Sequence, residues 1–425
     1  MAYVFFGLAV VGALLVVNAY SPVRRDPWST PSFFAGFLTG ELALQLIVLE
    51  AAASGVLIAF GALDSWVGWT ALGMAAVEWA SLAGLAVVAT RAPSVLDAAL
   101  RSATGPRLAL ADPPPVRWAR WWRLARGVPL AAPGVGVVEV DYWGDGIAAH
   151  RLNVLRAEGA DPAERRPVMV YIHGGAWISG DKRQQGKPML YELALDGWVC
   201  VTVNYRLSPR ATWPDHVVDC KRALAWVHEH IAEHGGDPDF VALSGGSAGG
   251  HLAALAALTP GDPAFQPGFE DLDTSVDACV PFYGVYDMTA DEAGTGKYGP
   301  ELRHLVERKV MKVDIAGHRE LVELASPDYR VNAAAPPFFV LHGTNDTLVP
   351  VESARHFIHN LRATTEAPVV YAELPLAQHA FDLLASPRCR ATTTAVQVFL
   401  DAVRAGRGGF GGADGETDRS DAGRS

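Results

Sequence analysis

Charge is what this 425-residue chain has least of: Asp, Glu, Lys and Arg make up 19% of it, against 50% hydrophobic residues. Its mean hydropathy of +0.15 is apolar for a wholly soluble enzyme, and most of the apolar excess lies before residue 91. Positive charge is the scarcer sign. A net charge of −11 argues against a nucleic-acid partner, which needs a basic face. Cysteine is scarce as well. Cys200, Cys220, Cys279 and Cys389 lie far apart, without metal-ligand or CxxC spacing. Cys200 and Cys279 fall in apolar, strand-like stretches, so the four read as buried free thiols, which suits a reducing compartment.

The N-terminus lacks the positive leader of a signal peptide, although Val17-Asn18-Ala19 resembles a cleavage site. Residues 2–20 carry no charge and are long enough to span a bilayer, so a retained helix is expected there. Two further apolar stretches, 33–62 and 66–90, break near Asp64-Ser65 and read as a helical hairpin. Arg24 and Arg25 sit between the first two spans, and Arg91, Arg101 and Arg107 follow the third. By the positive-inside rule the expected location is a multi-pass cell-membrane protein whose catalytic domain faces the cytoplasm. Glu41, Glu50 and Glu78 lie within the apolar stretches, and no Lys or Arg in these spans pairs with them. Protonated carboxyls within the bundle, or sites near the headgroups, are the expectation.

Residues 116–126 place Trp118, Trp121 and Trp122 on one helical face flanked by Arg117, Arg120, Arg123 and Arg126. This suits an anionic bilayer surface, and equally a helix covering the catalytic domain or its pocket. From about 136 the pattern changes to short β-branched runs: 136–141, 151–156, 167–172, 198–204, 240–244, 278–283, 337–342 and 368–374. Helical stretches at 214–234, 248–258, 351–364 and 391–404 alternate with them. The alternation predicts an α/β fold with a mostly parallel sheet covered on both faces. Its ligand site belongs beyond the carboxyl ends of the strands.

The loops at those ends carry the chemistry. After 240–244 comes Gly245-Gly246-Ser247-Ala248-Gly249, a G-x-S-x-G turn that presents a serine hydroxyl between strand and helix. After 167–172 comes His173-Gly174-Gly175-Ala176-Trp177. There the N–H groups of Gly174 and Gly175, with that of Ala248, form a candidate oxyanion hole. His173 is expected to brace this loop. Asp346 follows 337–342 and His379 follows 368–374, completing the order Ser247, Asp346, His379. His379 would act as the base and Asp346 would orient it. Asp382 is the competing acid, but it follows the histidine and precedes a helix.

These motifs resemble the hormone-sensitive-lipase-like branch of α/β-hydrolase esterases, and look most like the membrane-tethered carboxylesterases of actinobacteria. The matching stretches are HGGAW (173–177), NYRLSP (204–209), GGDPDFVALSGGSAGGHLA (235–253), PPFFVLHGTNDTLVP (336–350) and ELPLAQHAFD (373–382). The resemblance implies an α/β-hydrolase fold and hydrolysis of short- to medium-chain acyl esters without metal or cofactor. It also gives Trp213-Pro214 and Asp219 a structural role. Two departures are Gly246, where the branch often has Asp, and Ala176, where it often has a third Gly.

The expected organisation is a transmembrane region (1–92), then a linker with the Trp/Arg-rich helix (93–134). The catalytic domain follows (135–404), with a helical cap at 285–330 in which 299–325 is helical, and then a disordered tail (405–425). Expected partners are a small-molecule or lipid ester and the membrane. An amidase or peptidase using the same triad, and a non-catalytic binding protein on the hydrolase scaffold, are the alternatives.

Overall fold

All eight expected strands form. A computed structural model of the chain describes residues 1–25, 27–104, 133–161, 163–290 and 299–406. The strands are β1 (Val135–Asp141), β2 (Arg151–Ala157), β3 (Arg166–Ile172) and β4 (Val199–Val203), then β5 (Gly236–Gly246), β6 (Ala278–Phe282), β7 (Phe338–Gly343) and β8 (Val369–Leu374). They lie in the order β1-β2-β4-β3-β5-β6-β7-β8. β1–β2 and β2–β4 pair antiparallel, and the other neighbours are parallel. Parallel strands need cover on both faces. Accordingly β4, β6 and β7 are buried at every position.

The N-terminal region forms α1 (Ala2–Tyr20), α2 (Ser29–Glu41), α3 (Ala43–Ala59), α4 (Trp66–Ala89) and α5 (Ala92–Thr104). Ala2–Tyr20 and the stretch Trp66–Ala103 are each long and apolar enough to cross a membrane. The stretch 33–62, read above as one run, is two helices, α2 and α3, meeting at 88°. The reason lies in α2, which buries Ser29, Ser32, Thr39 and Glu41. Hydrocarbon offers such groups no partners, whereas α1 and the catalytic domain do. Asn18 Nδ2 donates to the Ser32 carbonyl at 2.8 Å, and Thr347 Oγ1 donates to the Ser29 carbonyl at 3.2 Å. Glu41 pairs with Arg388, far along the chain. No Lys or Arg within the apolar spans serves Glu41, as expected, but its partner is a cation from outside them rather than a group inside the helical bundle. Glu78 is buried in α4, its carboxylate against Gly12 of α1.

The remaining longer helices are α6 (Lys187–Leu195), α7 (Asp215–His230), α8 (Ala248–Leu258), α9 (Gly299–Leu305), α10 (Arg319–Leu324), α11 (Val351–Thr364) and α12 (Pro387–Gly406). Alternate residues of each strand point to opposite faces, giving two cores. Val168, Val170 and Leu243 meet Leu224 of α7, Leu252 of α8 and Phe357 of α11. Met169, Ala242 and Phe339 meet Leu190 of α6 and Phe399 of α12. Phe33 and Phe37 of α2 and Leu96 and Leu100 of α5 join this second core. Helix α5, expected as linker, is thus part of the catalytic body. The Trp- and Arg-rich segment 116–126 and the tail beyond 406 lie outside the described residues.

Candidate active site

Ser247 sits between β5 and α8 with φ 59° and ψ −122°, a strained conformation for a residue with a Cβ. The flanking glycines make the turn feasible. A Cβ on Gly245 would overlap the Gly249 carbonyl, and one on Gly249 would overlap the Ile172 carbonyl of β3. The Ser247 N–H donates to the Phe282 carbonyl at 3.0 Å, which ties the turn to β6.

The acid and base come from the neighbouring strand ends. His379 Nδ1 donates to Asp346 Oδ2 at 2.6 Å, which leaves Nε2 as the acceptor nitrogen of the neutral ring. Asp346 Oδ1 accepts the N–H groups of Leu348 and Val349, each at 2.8 Å. His342 Nε2 lies 3.3 Å from Asp346 Oδ2. Burial alone would raise the Asp346 carboxyl, but His379 and His342 hold it well below the usual carboxylate range. Gln378 clamps the two loops together: its Oε1 accepts from Thr347 N at 2.8 Å and from His379 N at 2.9 Å. The His379 ring is flanked by Tyr283, with centroids 4.4 Å apart, and by the edge of Phe33 at 5.9 Å. Asp382, the competing acid, accepts instead from Tyr283 Oη.

At the end of β3, Gly175, Ala176 and Trp177 all have positive φ, folding the loop back over Ser247. Gly175 and Ala248 line the same cavity as Ser247 and His379. The Gly174 N–H donates to Gln185 Oε1 at 2.7 Å, so in this state that amide serves the loop rather than the cavity. His173 stacks on Tyr205 with centroids 4.5 Å apart, and its Nδ1 donates to the Gly174 carbonyl at 2.8 Å. Burial pushes its pKa down, which keeps the ring neutral and suits a brace. Trp177 Nε1 donates to His251 Nδ1 at 3.1 Å, and His251 Nε2 donates to the Ala325 carbonyl at 2.7 Å. This chain links the loop to α8 and to the segment before β7.

Ser247 and His379 share a cavity of about 640 Å³. Phe33, Phe34 and Phe37 of α2, Leu302 and Leu305 of α9, and Leu383 supply its apolar wall. A second concavity of about 690 Å³ is lined by Pro337, Arg362, Thr365 and Pro368. It sits at the amino ends of β7 and β8, away from the serine. His342, Gln378, Gln185, His251 and α2 were all missed in the sequence reading. His251, His342 and Gln378 lie inside the matching stretches but carried no assigned role, and Gln185 lies outside them.

A strand-elbow serine and a carboxylate-bound histidine at the carboxyl edge of a mostly parallel sheet define an α/β-hydrolase. The BD-FAE family pattern matches residues 158–361. The chain is 44% identical over 409 residues to the probable carboxylic ester hydrolase LipM of Mycobacterium tuberculosis, covering 94% of this chain and 93% of the relative. It is 49% identical over 261 residues to esterase LipQ of the same organism, 61% of each chain. The butyrate-bound structure of a Thermogutta terrifontis esterase, Est2, superposes with a TM-score of 0.53 at 26% identity, covering 67% of this chain and 97% of that one. The chain therefore belongs to the hormone-sensitive-lipase-like carboxylic ester hydrolases, and it is an esterase.

Proposed function

We propose that the chain is a membrane-anchored serine carboxylesterase that cleaves short- to medium-chain acyl esters with Ser247, His379 and Asp346. The observation that carries this reading is the shared cavity of Ser247 and His379, with His379 held to Asp346 at 2.6 Å. Ser247 Oγ attacks the ester carbonyl while His379 Nε2 takes its proton. The Gly175 and Ala248 N–H groups receive the oxyanion, with Gly174 joining if Gln185 releases it. The alcohol leaves with the proton from His379, and water then hydrolyses the acyl-enzyme. A cavity of about 640 Å³ walled by Phe and Leu favours an acyl chain over a polar side group. The butyrate bound by the Est2 relative is of that class.

The apolar helices α1, α3 and α4 are read as three spans, and Arg24, Arg25 and Arg91 favour a cytoplasmic catalytic domain by the positive-inside rule. A reporter fused to the C-terminus should be accessible from the cytoplasm; periplasmic exposure would reverse the orientation. An amidase or peptidase would use the same triad. Comparing p-nitrophenyl butyrate with the matching anilide separates the two. A fluorophosphonate probe should label the protein, lose all labelling in Ser247→Ala and lose most of it in His379→Ala. An unlabelled wild type would point to a binding protein instead.

A further inference from the structure

The main wall of the cavity comes from α2, and α2 meets α3 at 88°. With α1, α3 and α4 along the bilayer normal, α2 lies in the plane of the membrane surface. Its two sides differ. The side toward the catalytic domain buries Phe33, Gly36, Phe37 and Glu41. The other side leaves Phe34 56% and Leu38 46% exposed, with Trp28, just ahead of the helix, at 64%. At 3.6 residues per turn these three fall within about 120° of arc, which includes no charged residue. An uncharged stripe bearing Trp, continuous with membrane-crossing helices, is the face of a helix bedded in a leaflet.

Phe34 belongs to both surfaces, since it is exposed and also lines the Ser247 cavity. Ile178 and Leu348, also exposed, continue the apolar rim. The catalytic loops rest on the same N-terminal unit. Arg24 Nη2 donates to the Thr344 carbonyl at 2.8 Å, and Asn345 Nδ2 donates to the Ala19 carbonyl at 2.9 Å, at the two residues before Asp346. Leu376, three residues before His379, packs among Val16, Ala19, Leu82 and Leu85.

We infer that α2 is bedded in the bilayer surface and that the ester reaches Ser247 from the leaflet, past Phe34. The substrates are then esters whose acyl chains are dissolved in the bilayer. This rests on the esterase reading and specifies its substrate class and route. An acyl chain following this path passes from lipid to the Phe-lined wall without crossing water.

The test uses the full-length protein in vesicles of phosphatidylcholine and phosphatidylglycerol. The four native cysteines are buried, so an environment-sensitive NBD maleimide on a Leu38→Cys variant reports that one position. Blue-shifted emission quenched by a lipid-borne quencher supports the placement. Water-like, unquenched emission overturns it, whatever the activity. A second arm compares p-nitrophenyl acetate in water with 4-methylumbelliferyl decanoate dissolved in the vesicles. The double variant Trp28→Asp, Leu38→Asp, at positions outside the cavity, should lower decanoate hydrolysis about tenfold or more. Its acetate hydrolysis should stay within about twofold. Equal loss on both substrates, or loss on neither, overturns the route. A wild type that hydrolyses neither substrate sinks the esterase reading instead, and the NBD result still stands alone.

Discussion

Glu41 and Arg388 are 347 positions apart in sequence, yet they form an ion pair whose side chains are 1% and 2% exposed. Arg388 also donates from Nη2 to the Pro375 carbonyl at 3.2 Å, so one guanidinium joins α2, α12 and the end of β8. Removing one partner leaves the other charge buried and unpaired, at a cost of about 3–5 kcal/mol. Replacing both with apolar side chains of similar size is neutral or stabilising by about 1–4 kcal/mol. Glu41→Leu and Arg388→Met should therefore each destabilise strongly, and the double variant should recover most of the loss. The assay is thermal inactivation of the purified full-length protein in detergent, read by intrinsic fluorescence and by ester hydrolysis. Because α2 carries Phe33 against His379, each single variant should also lose activity below its unfolding transition. Single variants as stable as wild type, or a double variant showing the sum of the two losses, would refute the reasoning.

Two further predictions concern the ground beneath His379. Burial pushes the Asp382 carboxyl from 3.8 up to about 6, despite its hydrogen bond from Tyr283. A raised acid stabilises the fold below its unfolded pKa, and that contribution is lost as pH rises through about 6. The loss between pH 4 and pH 8 is about 2–3 kcal/mol. Asp382→Asn should accordingly gain thermal midpoint over wild type at pH 8 and not at pH 4; parallel profiles would contradict this. Gly246 has Tyr283 Oη 2.9 Å and Tyr171 Oη 3.2 Å from where a Cβ would stand. Gly246→Ala should overpack by about 1–3 kcal/mol, tilt Tyr283 against His379, and cut kcat/KM about tenfold. Unchanged kinetics would show that the two tyrosines yield freely.

Local pattern determined much of this protein. The eight strands could be read from β-branched runs because strand period and apolar content are properties of a few neighbouring residues. The Ser247 elbow was legible for a similar reason: Gly245 and Gly249 are required by carbonyls that approach within one turn and one adjacent strand. Asp346 and His379 were legible through their place after strands, since the carboxyl edge of a parallel sheet gathers such loops.

Tertiary structure alone decided the rest. Apolar content made 33–62 a single run but said nothing of the 88° break. That break exists because Ser29, Ser32 and Glu41 find partners on Asn18, Thr347 and Arg388. The Gly174 amide looked free beside a glycine, yet the carboxamide of Gln185 takes it. Hydrophobicity and turn chemistry act over a few residues and can be read along the chain. A buried polar atom must be satisfied wherever the fold brings a partner, and that partner's distance in sequence carries no signal.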